Sequence, residues 1–286
     1  VPQEIKFSPV QTAGILQLYA QMIAASPADL VVTSETALPV YLHQLPSSYL
    51  KKLEMISTRH GSTLALGIPF SRDVRHYTNS VVVMSPDSTA PHHLAYHYDK
   101  QHLVPFGEFI PTGFRWFVQM MRIPLGDFDR GAIIQSPFRV KEQWVLPNIC
   151  YEDIFGEEIA RQIKAAREEN RPEPGILLNL SNIAWFGDSL ALPQHLQISR
   201  MRAMEMRRPM IRATNTGATA VIDRYGRVEG LLPFYTRATL AGEVSGYNGY
   251  TPYVYWGNTP VILLCVILIS ASVALCLLRG RGRQPL

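Results

Sequence analysis

Cysteine is scarce in this chain of 286 residues, which has three. Cys265 and Cys276 both lie inside one apolar run. On a helix they would share a face about 16 Å apart, out of disulfide reach. Cys150 therefore has no partner and is either a buried inert thiol or a reactive one. Charge is also sparse, at 17% of residues against 47% hydrophobic, which excludes a disordered chain. The formal net charge is +4, and Arg279, Arg281 and Arg283 near the C-terminus supply three of those charges. The remaining +1 leaves no electrostatic footprint for nucleic acid. No His/Cys cluster has metal-ligand spacing, so no metal and no cofactor is expected. The adjacent His92 and His93 are expected on a strand, facing opposite sides. Internal repeats and low-complexity stretches are missing too. So are an initiator Met before Val1 and a signal-like apolar stretch, from which we expect a piece of a longer chain.

What is present alternates between two periods. Helical spacing of apolar residues marks Pro9 to Ser26 (with Ser8 as N-cap), Pro46 to His60 (stopped by Gly61), Ile154 to Glu169 and Leu190 to Arg207. Strand-like runs are Leu30 to Thr33, Thr63 to Ile68, Asn79 to Met84, His92 to Tyr98 and Gln143 to Ile149. They continue with Gly175 to Leu180, Met210 to Thr214, Ala218 to Ile222 and Thr239 to Val244, with a turn at Arg224-Tyr225-Gly226-Arg227. Alternating helices and buried strands predict a layered α/β domain. Asn179-Leu180-Ser181 matches a glycosylation acceptor, but it sits in a strand-like run and reads as chance.

From Pro260 to Leu278 the sequence is almost wholly apolar. As a helix this is ~28 Å, the thickness of a bilayer's hydrocarbon core. Tyr247, Tyr250, Tyr253, Tyr255 and Trp256 crowd its upstream side like an interfacial aromatic belt, and the arginines follow it. The alternative is a buried core helix. A transmembrane helix over 259–278 is the stronger reading, with 247–258 as interface linker and 279–286 as basic tail. The positive-inside rule then puts that tail in the cytoplasm and the folded domain, 1–246, on the other side.

Three residues fall at or just past strand ends, where α/β folds place reactive groups. Glu35 follows Val31-Val32-Thr33-Ser34; alone it reads as a surface or cap carboxylate, but buried it would be a competent base. Lys100 ends Tyr98-Asp99-Lys100; alone it is a solvated lysine, yet the loop from Leu103 to Pro111 is unusually apolar. Cys150 follows a strand and precedes a helix, so nearby N–H groups could lower its pKa and hold an oxyanion. A base, a cation and a thiol suit covalent acyl transfer. The rival arrangement pairs Cys150 with His102 or His195.

The segments Tyr98-Asp99-Lys100-Gln101-His102-Leu103-Val104-Pro105-Phe106-Gly107-Glu108, Ile149-Cys150-Tyr151-Glu152 and Ala184-Trp185-Phe186-Gly187 resemble those of apolipoprotein N-acyltransferases, in the nitrilase superfamily. So do Gln194-His195 through Arg200-Met201-Arg202-Ala203 to Arg212-Ala213-Thr214-Asn215-Thr216-Gly217. The resemblance covers nearly the whole chain. It implies a nitrilase-like α-β-β-α sandwich followed by one C-terminal transmembrane helix, preceded in the family by further membrane helices and the first strand of the sandwich. It implies Glu35, Lys100 and Cys150 as catalytic triad, supported by Glu108, Tyr151 and Glu152. Phe106, Phe109, Trp116, Phe117, Trp185 and Phe186 are candidates for lining an acyl path, or else ordinary core. The implied partners are a phospholipid acyl donor, a diacylated apolipoprotein acceptor and the bilayer of a bacterial inner membrane, with the catalytic domain periplasmic. Two departures stand out: Ser34 where the family usually has proline, and Ile183 where it more often has Asp. Rival readings are a membrane-tethered amidase acting on a small C–N substrate and a binding module on a degenerate nitrilase fold.

Overall fold

Alternation along two strands explains the layering. In β2 (Thr63–Ser71), Leu64, Leu66 and Ile68 face one core while Ala65 faces another. In β3 (Tyr77–Met84), Val82 and Met84 share the first core and Val81 and Val83 the second. A strand with both faces apolar must be covered on both sides. The computed structural model describes residues 6, 9–71, 73, 76–110 and 128–281. Ser8, Trp116, Phe117 and Arg283 lie outside the described residues, as does the end of the basic tail.

The first sheet runs β1-β2-β3-β4, adding β1 (Leu30–Val32) parallel to β2 and β4 (Leu94–Asp99) antiparallel to β3. Helices α1 (Pro9–Ala24) and α2 (Ser47–His60) cover its outer face through Leu16, Ala20, Ile23, Leu50, Leu53 and Ile56. Gly61 ends α2 at φ +64°, the left-handed cap that glycine adopts without strain.

The second sheet has six strands: β5 (Phe138–Val140), β6 (Gln143–Ile149), β7 (Ile176–Ser181), β8 (Met210–Thr214), β9 (Ala220–Ile222) and β10 (Val228–Leu231). Its order is β10-β9-β8-β7-β6-β5, parallel in the centre and antiparallel at both edges. Helices α3 (Gly156–Glu168) and α4 (Ala191–Met206) cover its outer face with Ile159, Ala160, Ile163, Ala203 and Met206. Between the sheets, Ala65, Val81, Val83 and Tyr98 meet Phe138, Val145, Ile149, Leu178 and Leu180. The result is an α-β-β-α sandwich. Each fully buried aliphatic side chain contributes roughly 1.5–3 kcal/mol, so the shared middle layer holds the two halves together.

Two expectations are corrected. His92 and His93 precede β4 in a short 3-10 turn at φ +53° and +54°, and both imidazoles turn to Glu54 at 3.7 Å rather than to opposite faces. Thr239 to Val244 forms no strand: Leu240 packs against Gly230 and Val244 on the middle core, both only partly buried, while the residues around them stay exposed and no ladder forms. The short strands β5 and β10 were not legible in the pattern. The glycosylation-like Asn179-Leu180-Ser181 lies wholly buried inside β7.

After β10 the chain returns along α3 and α4. The short helix α5 (Pro252–Trp256) buries Val254 in the core of the second layer, capped by the Thr251 hydroxyl, which accepts from the Val254 N–H. Tyr255 accepts from Arg167 at 2.7 Å, and Asn258 donates to Glu157. Helix α6 (Thr259–Arg281) follows. Its span Thr259–Leu278 has a mean hydropathy of 3.1 and is not buried by any other described residue, unlike a helix packed in this domain's core.

Candidate active site

Glu35 sits on a turn sewn to β2. The Thr33 N–H donates to Ala65 O, the Gly67 N–H donates to Thr33 Oγ1, and the Leu38 N–H donates to Gly67 O. Glycine is required at 67, because a methyl there would run into the Ser34 carbonyl oxygen and the Thr36 nitrogen. Thr36, next in the chain, has φ +48°. The turn aims the Glu35 carboxylate inward, where it is buried.

Lys100 follows β4 and is wholly buried. Its Nζ donates to Glu35 Oε1 at 3.2 Å and to Glu108 Oε1 at 2.9 Å. Burial alone would lower its pKa, but Glu35 and Glu108 outweigh burial and hold it above the ordinary lysine value. Lys100 is therefore a permanent cation. Glu108 reaches it from the apolar loop, fixed by the Val104 N–H donating to Glu108 Oε2 at 2.9 Å. Asn79 on β3 completes the group, its Nδ2 donating to Glu35 Oε1 and Glu108 Oε1, each at 2.7 Å. The other Glu35 oxygen accepts from the Asn182 N–H at 2.7 Å, at the exit of β7. Beneath the turn, the buried Lys6 donates to the Glu35 carbonyl at 2.9 Å. Burial pulls the Lys6 pKa down to about 8, against the pull of Glu35 and Cys150.

Cys150 opens a 3-10 turn, Cys150–Ile154, directly after β6, and its backbone is left-handed at φ +51°. For a residue with a Cβ this costs about 1–2 kcal/mol, a strain common at reactive turns. Its thiol is pushed up to about 12 by burial and by Glu35, against the opposing pull of Lys100 and the Asn182 N–H. At neutral pH it is a protonated thiol that needs a base. The same Asn182 N–H thus serves both Glu35 and the thiol.

Glu152 ties the Lys100 and Cys150 loops together. Its Oε1 accepts from the Gln101 and His102 N–H groups at 2.6 and 3.1 Å, and its Oε2 from the Ile149 N–H at 2.6 Å and the Tyr98 hydroxyl at 2.9 Å. Burial raises its pKa to about 7 against the pull of those N–H groups and Lys100. Tyr151 packs edge-on against His102 and Phe155.

The structure thus brings Glu35, Lys100, Glu108, Cys150 and Glu152 into one cluster spanning both sheets. Neither histidine of the rival arrangement serves as base to the thiol. His102 Nδ1 pairs with Glu158 at 3.0 Å and its ring stacks on Phe155. His195 Nε2 meets the carbonyl oxygen of Cys150 at 3.2 Å, not its sulfur. Sequence reasoning missed Asn79 and the Asn182 N–H; a buried amide near the start of a strand gives no signal distinct from ordinary polar sequence. Phe106, Trp185 and Phe186 are exposed, the last two by 73% and 61%, so none is core, whereas Phe109 is half-buried beside Arg130. Ser34 accommodates its departure with a contact to the Tyr19 hydroxyl at 3.3 Å, and Ile183 is buried against Gly217. Among the described residues, no group of three or more His, Cys, Asp or Glu side chains is arranged to hold a metal.

Comparison with known proteins places this geometry. The family model described as carbon-nitrogen hydrolase matches residues 4–248. The Ralstonia nicotianae protein named apolipoprotein N-acyltransferase is 48% identical over 274 residues, covering 96% of this chain and 51% of the relative. A protein of the same name from Verminephrobacter eiseniae is 47% identical over 265 residues, covering 90% of this chain and 48% of its own length. The chain therefore spans about half the length of these curated relatives. Among solved structures, the C. elegans NitFhit protein superposes with a TM-score of 0.60 at 18% identity, covering 78% of this chain and 55% of that one. The amidase from Nesterenkonia sp. AN1, captured after Michael addition of acrylamide at its active-site cysteine, superposes at 0.57 and 18% identity, covering 79% and 85%. At such identities these two superpositions establish the fold alone.

Proposed function

The chain belongs to the carbon-nitrogen hydrolase family, and from that premise we propose that it is the catalytic part of an apolipoprotein N-acyltransferase. Glu35 takes the proton from Cys150, whose thiolate attacks the ester carbonyl of a phospholipid acyl chain. The carbonyl oxygen becomes an oxyanion beside the Lys100 ammonium, fixed and already charged. The C–O bond breaks, the proton held by Glu35 goes to the leaving lysophospholipid, and a thioester remains on Cys150. The α-amine of a diacylglyceryl-cysteine apolipoprotein attacks that thioester, loses its proton to Glu35, and leaves N-acylated as Cys150 recovers its thiol. Glu108 keeps Lys100 charged and in place, and Glu152 and Tyr151 hold the nucleophile's turn. No cofactor takes part in these steps.

The observation that carries this reading is one buried cation shared by two carboxylates, Lys100 between Glu35 and Glu108, on a domain that ends in an uncovered apolar helix. The rival membrane-tethered amidase would act on a small polar substrate that reaches it through water and gains nothing from a site held at the bilayer, whereas an enzyme of two lipid substrates must stay where they are. The exposed Trp185 and Phe186, with Phe106, suit the entrance of an acyl chain. We assign the protein to a bacterial inner membrane, with the catalytic domain periplasmic and the arginine tail cytoplasmic.

The test is the intact mass of the Cys150 peptide from full-length protein extracted from native membranes, before and after hydroxylamine. A fatty-acyl adduct that hydroxylamine removes is expected. An unmodified Cys150, even after incubation with phospholipid, would overturn acyl transfer from lipid.

A further inference from the structure

Behind the Cys150 carbonyl lies a second buried polar network that the acyl-transfer steps do not use. Arg212 on β8 is fully buried. It donates from Nε to Ala218 O at 3.0 Å, from Nη1 to Ser199 Oγ at 2.5 Å and Asn179 Oδ1 at 3.2 Å, and from Nη2 to His195 Nδ1 at 2.6 Å. Asp153, also fully buried, balances its charge at 3.6 Å and accepts from the Ser199 hydroxyl. His195 on α4 then reaches the Cys150 carbonyl oxygen at 3.2 Å.

These contacts fix the tautomer. A guanidinium only donates, so His195 Nδ1 must accept; the ring proton is then on Nε2, which donates to Cys150 O. Neither ring nitrogen is left to take a proton from the thiol. Burial first, and the Arg212 charge second, push the imidazole down to about 3, so it stays neutral at any working pH.

Cys150 needs such a hold. Its left-handed backbone would relax toward the extended region unless both ends of the step were tied. On one side, the Ile149 N–H is held by Glu152 at 2.6 Å; on the other, the Cys150 carbonyl is held by His195. Releasing the carbonyl lets the peptide rotate and shifts the thiol relative to the Glu35, Lys100 and Asn182 groups that act on it. We infer that His195, oriented by Arg212, is a positioning residue that clamps the Cys150 carbonyl and thereby aims the nucleophile. The inference rests on Cys150 being the nucleophile of the reading above.

Two substitutions separate aiming from packing. Asn at 195 places its amide where Nδ1 stands and still meets Arg212, but does not reach the Cys150 carbonyl. Gln places an N–H donor where Nε2 stands. Both are made in the full-length protein in detergent. Three quantities are followed: iodoacetamide labelling of the Cys150 peptide by mass, acyl-enzyme formation with phospholipid, and the melting midpoint. Expected for His195→Asn is a loss of about tenfold or more in labelling and acylation rates, with the KM for phospholipid and the midpoint close to wild type. His195→Gln is expected to keep both rates within about threefold. Wild-type labelling in His195→Asn overturns the inference, and so does His195→Gln reacting as slowly as His195→Asn. Should His195→Asn not fold, His195→Gln decides alone: a wild-type midpoint with under about a tenth of the rate overturns it. Labelling by iodoacetamide needs no lipid, so failure of the acyl-transfer reading would appear separately, as no lipid-derived thioester with the labelling pattern intact.

Discussion

One amide group holds two carboxylates: Asn79 Nδ2 lies 2.7 Å from Glu35 Oε1 and 2.7 Å from Glu108 Oε1. With Lys100 it keeps two buried anions side by side, which otherwise repel and force one to take up a proton. Asn79→Ala is expected to cost about 1–3 kcal/mol of stability by leaving both acceptors short of a donor. It should also reduce acylation by roughly 10–100-fold through a misplaced base. Asn79→Asp, a third carboxylate in the same space, should be worse on both counts. Chemical denaturation and single-turnover acylation read the two effects separately.

Lys100→Met keeps the volume and removes the charge. It leaves Glu35 and Glu108 buried without their cation, so a loss of roughly 3–5 kcal/mol in denaturant unfolding is expected. It also removes the attraction that lowers the Cys150 pKa, so labelling of the thiol at fixed pH should slow. Faster labelling in Lys100→Met would mean that the lysine does not act on the sulfur.

Glu152→Gln exchanges an acceptor of four hydrogen bonds for a group with one acceptor oxygen and two donors. At least one of the Ile149, Gln101 and His102 N–H groups would then face another donor. A fall in melting midpoint equivalent to about 2–4 kcal/mol is expected, with slower thioester formation. Differential scanning calorimetry at pH 8, above the value of about 7 for this group, compares the variant with a mostly ionised native residue.

His195 predicts an acid limb of stability. Its folded pKa, about 3, lies below the ordinary histidine value, so the unfolded chain binds the proton first as pH falls. Its contribution is complete above about pH 6.5 and is lost on the way down to about 3, at a slope of up to ~1.4 kcal/mol per pH unit. Urea unfolding between pH 7 and 4 should show a shallower slope in His195→Gln than in the wild type, and equal slopes would refute the buried neutral imidazole.

Trp185 and Phe186 project from the short turn Ala184–Phe186 after β7. Replacing both with serine should leave folding within about 0.5 kcal/mol, since neither is packed. It should raise the KM for phospholipid in mixed micelles several-fold at little cost in kcat. A change in kcat alone would place them in the chemistry rather than at the entrance.

Much of this was legible in the chain itself. Gln143–Ile149 and Met210–Thr214 have the same bounds as strands as their apolar runs, because parallel central strands need both faces apolar. Glu35 and Lys100 stood out as ionisable residues beside apolar ones, whereas a part for Glu108 came only from the family resemblance. Asn79 did not stand out, because its neighbours Val81 and Val83 dominate the pattern and a polar residue facing the site looks like one facing water. The run Thr239 to Val244 was misleading for the opposite reason: its apolar Leu240 and Val244 only half-bury, and pairing depends on a free strand edge that sequence does not show. The role of His195 was hidden because its target is a backbone oxygen, which every residue has.

The span of Glu152 has a consequence for how the protein comes into being. The residues it gathers, 98, 101 and 102 on the first half and 149 on the second, are some fifty positions away on one side and three on the other. No local segment can form that knot, and closing so long a loop is entropically costly until the hydrophobic faces of both sheets have met. Competence is thus withheld from every partly folded form. A nascent chain with its thiol already made cannot assemble the acylating site until the last large step of folding, so the onset of thioester formation at Cys150 is a clock for the docking of the two sheets.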